Sequence, residues 1–121
     1  EELAVGVHVD ATAWEPASAP AFGDAHNERI EAVFVFQNQL YASAKNTTTG
    51  LELWRSPDGL AWEQMNPDGF GDNRNSGVNG SNATASFLGH LYVGTANAAA
   101  GGEVWRMLQP QQRTYLPLIV R

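Results

Sequence analysis

The chain repeats itself. The segment LYASAKNTTTGLELWR (40–55) aligns with LYVGTANAAAGGEVWR (91–106), 51 positions further on. Leu40, Tyr41, Asn46, Gly50, Glu52, Trp54 and Arg55 recur as Leu91, Tyr92, Asn97, Gly101, Glu103, Trp105 and Arg106, and Phe36 and Phe87 keep the register upstream. A second match runs at an offset of 48: Asp10, Ala13, Trp14 and Glu15 recur as Asp58, Ala61, Trp62 and Glu63, and Phe22-Gly23-Asp24 recurs as Phe70-Gly71-Asp72. Leu3 and Val5 fall on Leu51 and Leu53 in that register. A repeat of about fifty residues decides the architecture before any single residue does, because each unit must bury its apolar face against its neighbour.

Each unit reads as four short strands. Residues 31–36 carry Val33, Phe34, Val35 and Phe36, a nearly continuous apolar run that predicts a strand buried on both faces. A polar turn at 37–39 leads to a strand at 40–45, and the turn-forming loop 46–50 leads to a strand at 51–56. Pro57-Asp58-Gly59 is a turn in which Pro presets φ and Gly tolerates positive φ, and 62–65 closes the unit as an outer strand. The expected fold class is all-β, with antiparallel four-stranded blades like those of a β-propeller. The boundaries that follow are a partial blade at 1–16 (its last two strands), a crossover loop at 17–30, a complete blade at 31–65, a crossover at 66–82, a partial blade at 83–107 (its first three strands) and an apolar tail or strand at 108–121.

The pattern LY-x-GT-x-N, then G-x-EVWR, then DG-x-x-WE, carried by 91–106 and 52–63, resembles the repeats of secreted kelch-like and Asp-box (sialidase-type) propellers. Ser56-Pro57-Asp58-Gly59-Leu60-Ala61-Trp62 is similar to an Asp-box, without the residue usually found between Asp and Gly. The resemblance implies that Asp58 caps a hairpin turn with Gly59 and that Trp62 packs beneath it, a folding device. It covers most of residues 1–106 and specifies fold far better than function.

Composition removes several function classes. Seven basic residues against thirteen acidic give a net charge of −6, which supplies no electrostatic footprint for nucleic acid. Cysteine is absent, so disulfides, thiolate metal sites and Cys nucleophiles are excluded. No run approaches the roughly 18 apolar residues of a membrane helix, so no membrane span is expected. The start, Glu1-Glu2-Leu3, lacks a signal-peptide pattern, while the Asn/Gly/Thr-rich surface with Lys45 as the single Lys suits a secreted or cell-surface protein in its mature form.

Candidate sites each have a structural counterpart reading. Tyr41, Tyr92, Trp54 and Trp105 would make stacking platforms for a sugar, with Glu52 and Glu103 beside them, but recurrence in register is also what packing between blades requires. Glu52 and Arg55, like Glu103 and Arg106, point to opposite faces of a strand, so pairing is expected across strands or blades as a repeated ladder. The oxygen-rich loop 67–77 offers Asp68, Asp72, Asn73 and Asn75 as calcium ligands, against an ordinary crossover. His8, His26 and His90 lack metal-ligand spacing. Three Asn-x-Ser/Thr sequons begin at Asn46, Asn79 and Asn82. Neither a carboxylate pair nor a nucleophile motif stands out among the acids and hydroxyls, and no enzyme activity and no cofactor beyond calcium is expected.

A closed propeller takes at least about four blades, and some two and a half are present here, so the expectation is a partial propeller completed by oligomerisation or by further sequence. The tail adds to this: Tyr115, Leu116, Leu118, Ile119 and Val120 form an apolar, β-prone run like the Tyr-Leu-Pro-Leu tails of some bacterial surface proteins, available for completing a sheet in its own blade or in a neighbour. Two functions are therefore expected: a structural module that self-associates into a ring or filament, or a carbohydrate-binding propeller lectin assembled from several chains.

Overall fold

β-Branched and aromatic residues run together through Val33, Phe34, Val35 and Phe36, and with the segments that follow they pair as strands. The computed structural model describes residues 11–78 and 83–108. Its strands are β1 (Arg29–Phe36), β2 (Gln39–Lys45), β3 (Glu52–Ser56), β4 (Glu63–Gln64), β5 (Thr84–Phe87), β6 (His90–Gly94) and β7 (Val104–Arg106). Strands β1 to β4 form one four-stranded antiparallel meander and β5 to β7 a three-stranded one. Among the described residues there is no α-helix, only short 3-10 turns, and neither sheet closes on itself. The protein is all-β.

Local chemistry sets the turns. Gln37 and Asn38 both take left-handed φ (49° and 64°), as do Leu88 and Gly89 (51° and 81°), which is the backbone of a two-residue hairpin whose twist matches its strands. The reversal is therefore complete in two residues, and β2 begins at Gln39 rather than at Leu40. The β2–β3 connection is organised by Asn46, whose Oδ1 accepts the backbone N–H groups of Thr48 and Thr49 at 2.9 and 2.8 Å. Asn97 does the same for Ala99 and Ala100 at 3.0 and 2.8 Å. The outer strand β4 is only two residues long, because the buried Asn66 side chain takes over the pairing: its Oδ1 accepts Leu53 N–H and its Nδ2 donates to Leu51 C=O.

Period-2 alternation distributes the faces. Paired residues share a side of the sheet, so Phe34, Tyr41 and Arg55 lie on one face of the first sheet, and Val33, Ala42 and Trp54 on the other. The core is the seam between sheets, where Ala32, Phe36, Tyr41, Leu51 and Leu53 of the first unit meet Leu91 and Val93 of the second and Val78 of the crossover. An apolar cleft of about 360 Å³ runs along this seam, lined by Leu53, Met65, Phe70, Leu91, Val93 and Trp105 among others. The hairpin tips also touch, Gln37 Nε2 donating to Gly89 C=O at 3.2 Å. The expectation that β1 is buried on both faces needs correction. Ala32 and Phe36 are buried but Val33 and Val35 are exposed, because the loop that covers the second face through Phe22 on Trp54 does not reach β1.

The crossover joins the units through backbone bonds. Asn46 N–H donates to Ser76 C=O (2.9 Å) and Ser76 N–H to Ala96 C=O (3.0 Å), so one extended segment bridges the β2–β3 region of one sheet to the same region of the next. Leu51 N–H donates to Asn75 C=O, and Gly69 N–H to Leu51 C=O, both at 2.8 Å. The expectations placed on residues 1–10, on 79–82 and on 109–121 lie outside the described residues; they include the strands read before residue 11, His8, the sequons at Asn79 and Asn82, and Tyr115, Leu116, Leu118, Ile119 and Val120 of the tail.

Candidate functional site

The two sequence registers, 48 and 51, meet in one side-chain network that occurs twice. In the first copy the loop before β1 turns through a short 3-10 segment, Pro20–Gly23, in which Ala21 and Phe22 hold positive φ (55° and 49°). This turn lays the Phe22 ring on Trp54, with centroids 4.7 Å apart and planes within 6°. Trp54 Nε1 donates to Glu52 Oε1 (3.0 Å), and Asn27 Nδ2 donates to the same oxygen (2.8 Å) and to Ala21 C=O (2.9 Å). Asn46 Nδ2 closes the set on Asn27 Oδ1 (3.0 Å).

The second copy repeats each contact. Gly69 and Phe70 hold positive φ (60° and 55°), Phe70 stacks on Trp105 at 4.6 Å and 8°, and Trp105 Nε1 donates to Glu103 Oε1 at 2.9 Å. Asn75 Nδ2 donates to Gly69 C=O (2.9 Å) and Glu103 Oε1 (3.3 Å), and Asn97 Nδ2 donates to Asn75 Oδ1 (3.0 Å). Loop residues recur at 48 and sheet residues at 51 because three more residues stand between loop and sheet in the second unit. Asn75, read from the sequence as a calcium ligand, instead bonds Gly69, Glu103 and Asn97, and its counterpart Asn27 lies in the same register three residues beyond Phe22-Gly23-Asp24.

This network places most of the candidate ligand-binding residues. Tyr41 is fully buried, stacked on Phe34 (5.4 Å) and in edge contact with Phe36 (6.1 Å). One face of Trp54 and one of Trp105 is covered by a phenylalanine, and Glu52 is buried with its Oε1 occupied by N–H donors. Tyr92 alone of the four aromatic candidates has no ring stacked on it among the described contacts, only the edge of Phe87 at 6.2 Å. The expected Glu/Arg ladder takes a different form. Glu52 and Glu103 bond Asn and Trp, while Arg55 reaches across to Glu63, its register partner on β4, at 2.6 Å. Partial burial works against the Arg55 charge, but hydrogen bonds to Glu63 and Tyr41 outweigh it and raise the pKa.

The oxygen-rich loop is satisfied by protein donors. Asp72 Oδ1 accepts Arg74 N–H and Nε, and its Oδ2 accepts Arg74 NH2 and Asn97 Nδ2, so Arg74 holds this carboxyl below the usual range. Asp68 accepts from Gln64 Nε2 (2.7 Å), and Asn73 Nδ2 reaches Thr48 C=O (3.4 Å). Among the described residues no group of three His, Cys, Asp or Glu is gathered as for a metal ion. His26 pairs with Asp24, and His90 lies by Met107 C=O. Asn46, the acceptor of one sequon, is wholly buried.

The turn from Ser56 to Trp62 is built as a cap. Asp58 Oδ1 accepts Leu60 and Ala61 N–H (2.9 Å each) and the Ser56 hydroxyl (3.1 Å), and Ser56 Oγ accepts Gly59 N–H (2.7 Å). Trp62 donates to Ala17 C=O (2.8 Å) and meets Phe22 edge-on at 5.3 Å.

What remains open is a surface. Positions 51 apart have opposite fates: Phe36 is 5% exposed and Phe87 60%, Leu53 is 3% exposed and Val104 75%. Tyr41, Leu53 and Phe36 are covered by the second sheet, whereas Tyr92, Val104 and Phe87 share the outer face of that sheet, which no described residue covers. At the other end, Val33 and Val35 are 58% and 71% exposed on the outer face of the first sheet. No protein-family model, no curated protein and no solved structure matches this chain. No helix among the described residues is long and apolar enough to cross a membrane.

Proposed function

We propose that the chain is a non-catalytic, secreted structural module, built of propeller-type blades, whose function is self-association through blade faces and strand edges. The observation that carries this reading is the pairing of like positions with unlike burial. Phe36, Tyr41 and Leu53 form the face that a neighbouring sheet covers, and Phe87 and Val104 present the same chemistry exposed, with Tyr92 half-buried between them. Covering an exposed side chain of this size contributes about 1.5–3 kcal/mol, so Phe87 and Val104 give association a driving force. The repeated Asn–Glu–Trp network supports the same reading, since it spends the polar and aromatic residues on shape rather than on a ligand.

Sedimentation with negative-stain imaging tests it. The expected result is mass rising with concentration, with rings or filaments visible, and no retention on a glycan array. A monomer throughout would overturn this function, and glycan binding lost on Tyr92→Ala would replace it with the lectin.

A further inference from the structure

We infer that copies of the chain add head to tail: the β5–β7 face of one copy seats the outer face of β1 and β2 of the next, in the register that the two sheets already hold within one chain. The inference rests on the self-association proposed above and adds to it the two surfaces, their polarity and their contacts.

The argument is by equivalence. Within the chain, the face carrying Phe36, Tyr41 and Leu53 is covered by Leu91, Val93 and Val78. Moving each residue one repeat along gives both halves of a second interface. Phe36, Tyr41 and Leu53 become Phe87, Tyr92 and Val104 at the C-terminal end of the stack. Leu91 and Val93 come from Leu40 and Ala42, and Val78 from Ile30, at the N-terminal end. There Ile30 is exposed, beside the exposed Val33 and Val35 on the same face. Leu40 is half-buried and Ala42 lies buried between them, so the open contact is made by Ile30, Val33 and Val35. The described residues therefore carry a complementary pair of surfaces on the two outer faces of their sheets, which is the condition for a heterologous contact that propagates or closes into a ring.

The backbone has the same complementarity. Inside the chain Asn46 N–H and Leu51 N–H donate to Ser76 and Asn75 C=O. The equivalent donors at the far end are Asn97 and Gly102, and the equivalent acceptors at the near end are Glu28 and Asn27. Gly101 supports this. Its counterpart Gly50 is closed over by the crossover, where a Cβ would lie 2.6 Å from Gly69 Cα, but around Gly101 a Cβ would meet nothing within 4 Å. The space a following crossover occupies is open there.

Since cysteine is absent, engineered cysteines report the contact directly. Gln37 touches Gly89 between hairpin tips, so one repeat along Leu88 of one copy lies beside Asn38 of the next. Leu88→Cys and Asn38→Cys chains mixed 1:1 and oxidised mildly are expected to form the mixed disulfide in at least tenfold excess over either homodimer. In parallel, Phe87→Asp and Val35→Asp, both at exposed positions, are each expected to abolish growth of the assembly with circular dichroism unchanged, and their mixture is expected to stop at a heterodimer. Homodimeric crosslinks in excess, or assembly unaffected by either aspartate, would overturn the head-to-tail contact and leave self-association standing. An unmodified chain that stays monomeric at about 1 mM overturns both.

Discussion

Asp58 shows how much one carboxylate does for a turn. Two backbone N–H groups and the Ser56 hydroxyl point at a single oxygen, and those hydrogen bonds, Ala61 first and then Leu60, hold the carboxyl below its ordinary range. In the unfolded chain the same group titrates near about 3.9. As pH falls through that value the unfolded state takes up a proton before the folded one, so the stability this turn supplies is present above it and is lost as pH falls through the lower folded value. Asp72, held down by Arg74, acts in the same direction. Asp58→Asn should therefore melt below the unmodified protein at pH 7, with the gap closing as pH falls through the lowered pKa of the folded state. Thermal melts across pH check this, and a gap independent of pH contradicts it. This residue's role was legible in the sequence, because a Ser-Pro-Asp-Gly turn works through neighbours only a few positions away.

At the scale of elements, each sheet is pinned to the loop before it by an asparagine that must both give and accept. Asn27 donates through Nδ2 to Ala21 C=O and to Glu52, and accepts from Asn46 through Oδ1. An aspartate there has no proton to donate and sets a second carboxylate against the buried Glu52. Asn27→Asp is expected to cost about 3 kcal/mol, as for a buried charge deprived of its partner. Asn73→Asp, on an exposed residue of the next loop, should cost under about 0.5 kcal/mol. Urea unfolding of the two variants measures the difference, and equal midpoints would remove the network from the list of stabilising features. The strands were legible from their own residues, since period-2 alternation and turn chemistry are local. The network was not, because Phe22, Asn27, Asn46 and Trp54 come from separate segments and meet only after the sheet forms.

The molecule as a whole behaves as two units joined by one segment that bonds to both. Ser76 accepts from Asn46 and donates to Ala96, and Gly50 lies against Gly69 too closely for any side chain. Neither sheet buries its apolar face without the other, so unfolding is expected in one transition, seen alike by tryptophan fluorescence and circular dichroism. Gly50→Ala meets backbone at 2.6 Å and a φ of 106°, and should lower the urea midpoint by the equivalent of about 3 kcal/mol while keeping a single transition. Two separate transitions would mean that the sheets are stable alone.

From the sequence alone came the repeat, its two registers, the strands with their turns and the alternation of apolar and polar positions, all of which depend on residues near one another in the chain. Tertiary structure decided which copy of each repeated position is buried. Phe36 and Phe87, Leu53 and Val104 stand in the same local surroundings, yet one of each pair is covered and the other open, and Tyr41 is fully buried where Tyr92 is half-buried. Burial in a stack depends on having a neighbour on that side, and a residue's own segment carries no record of its neighbour.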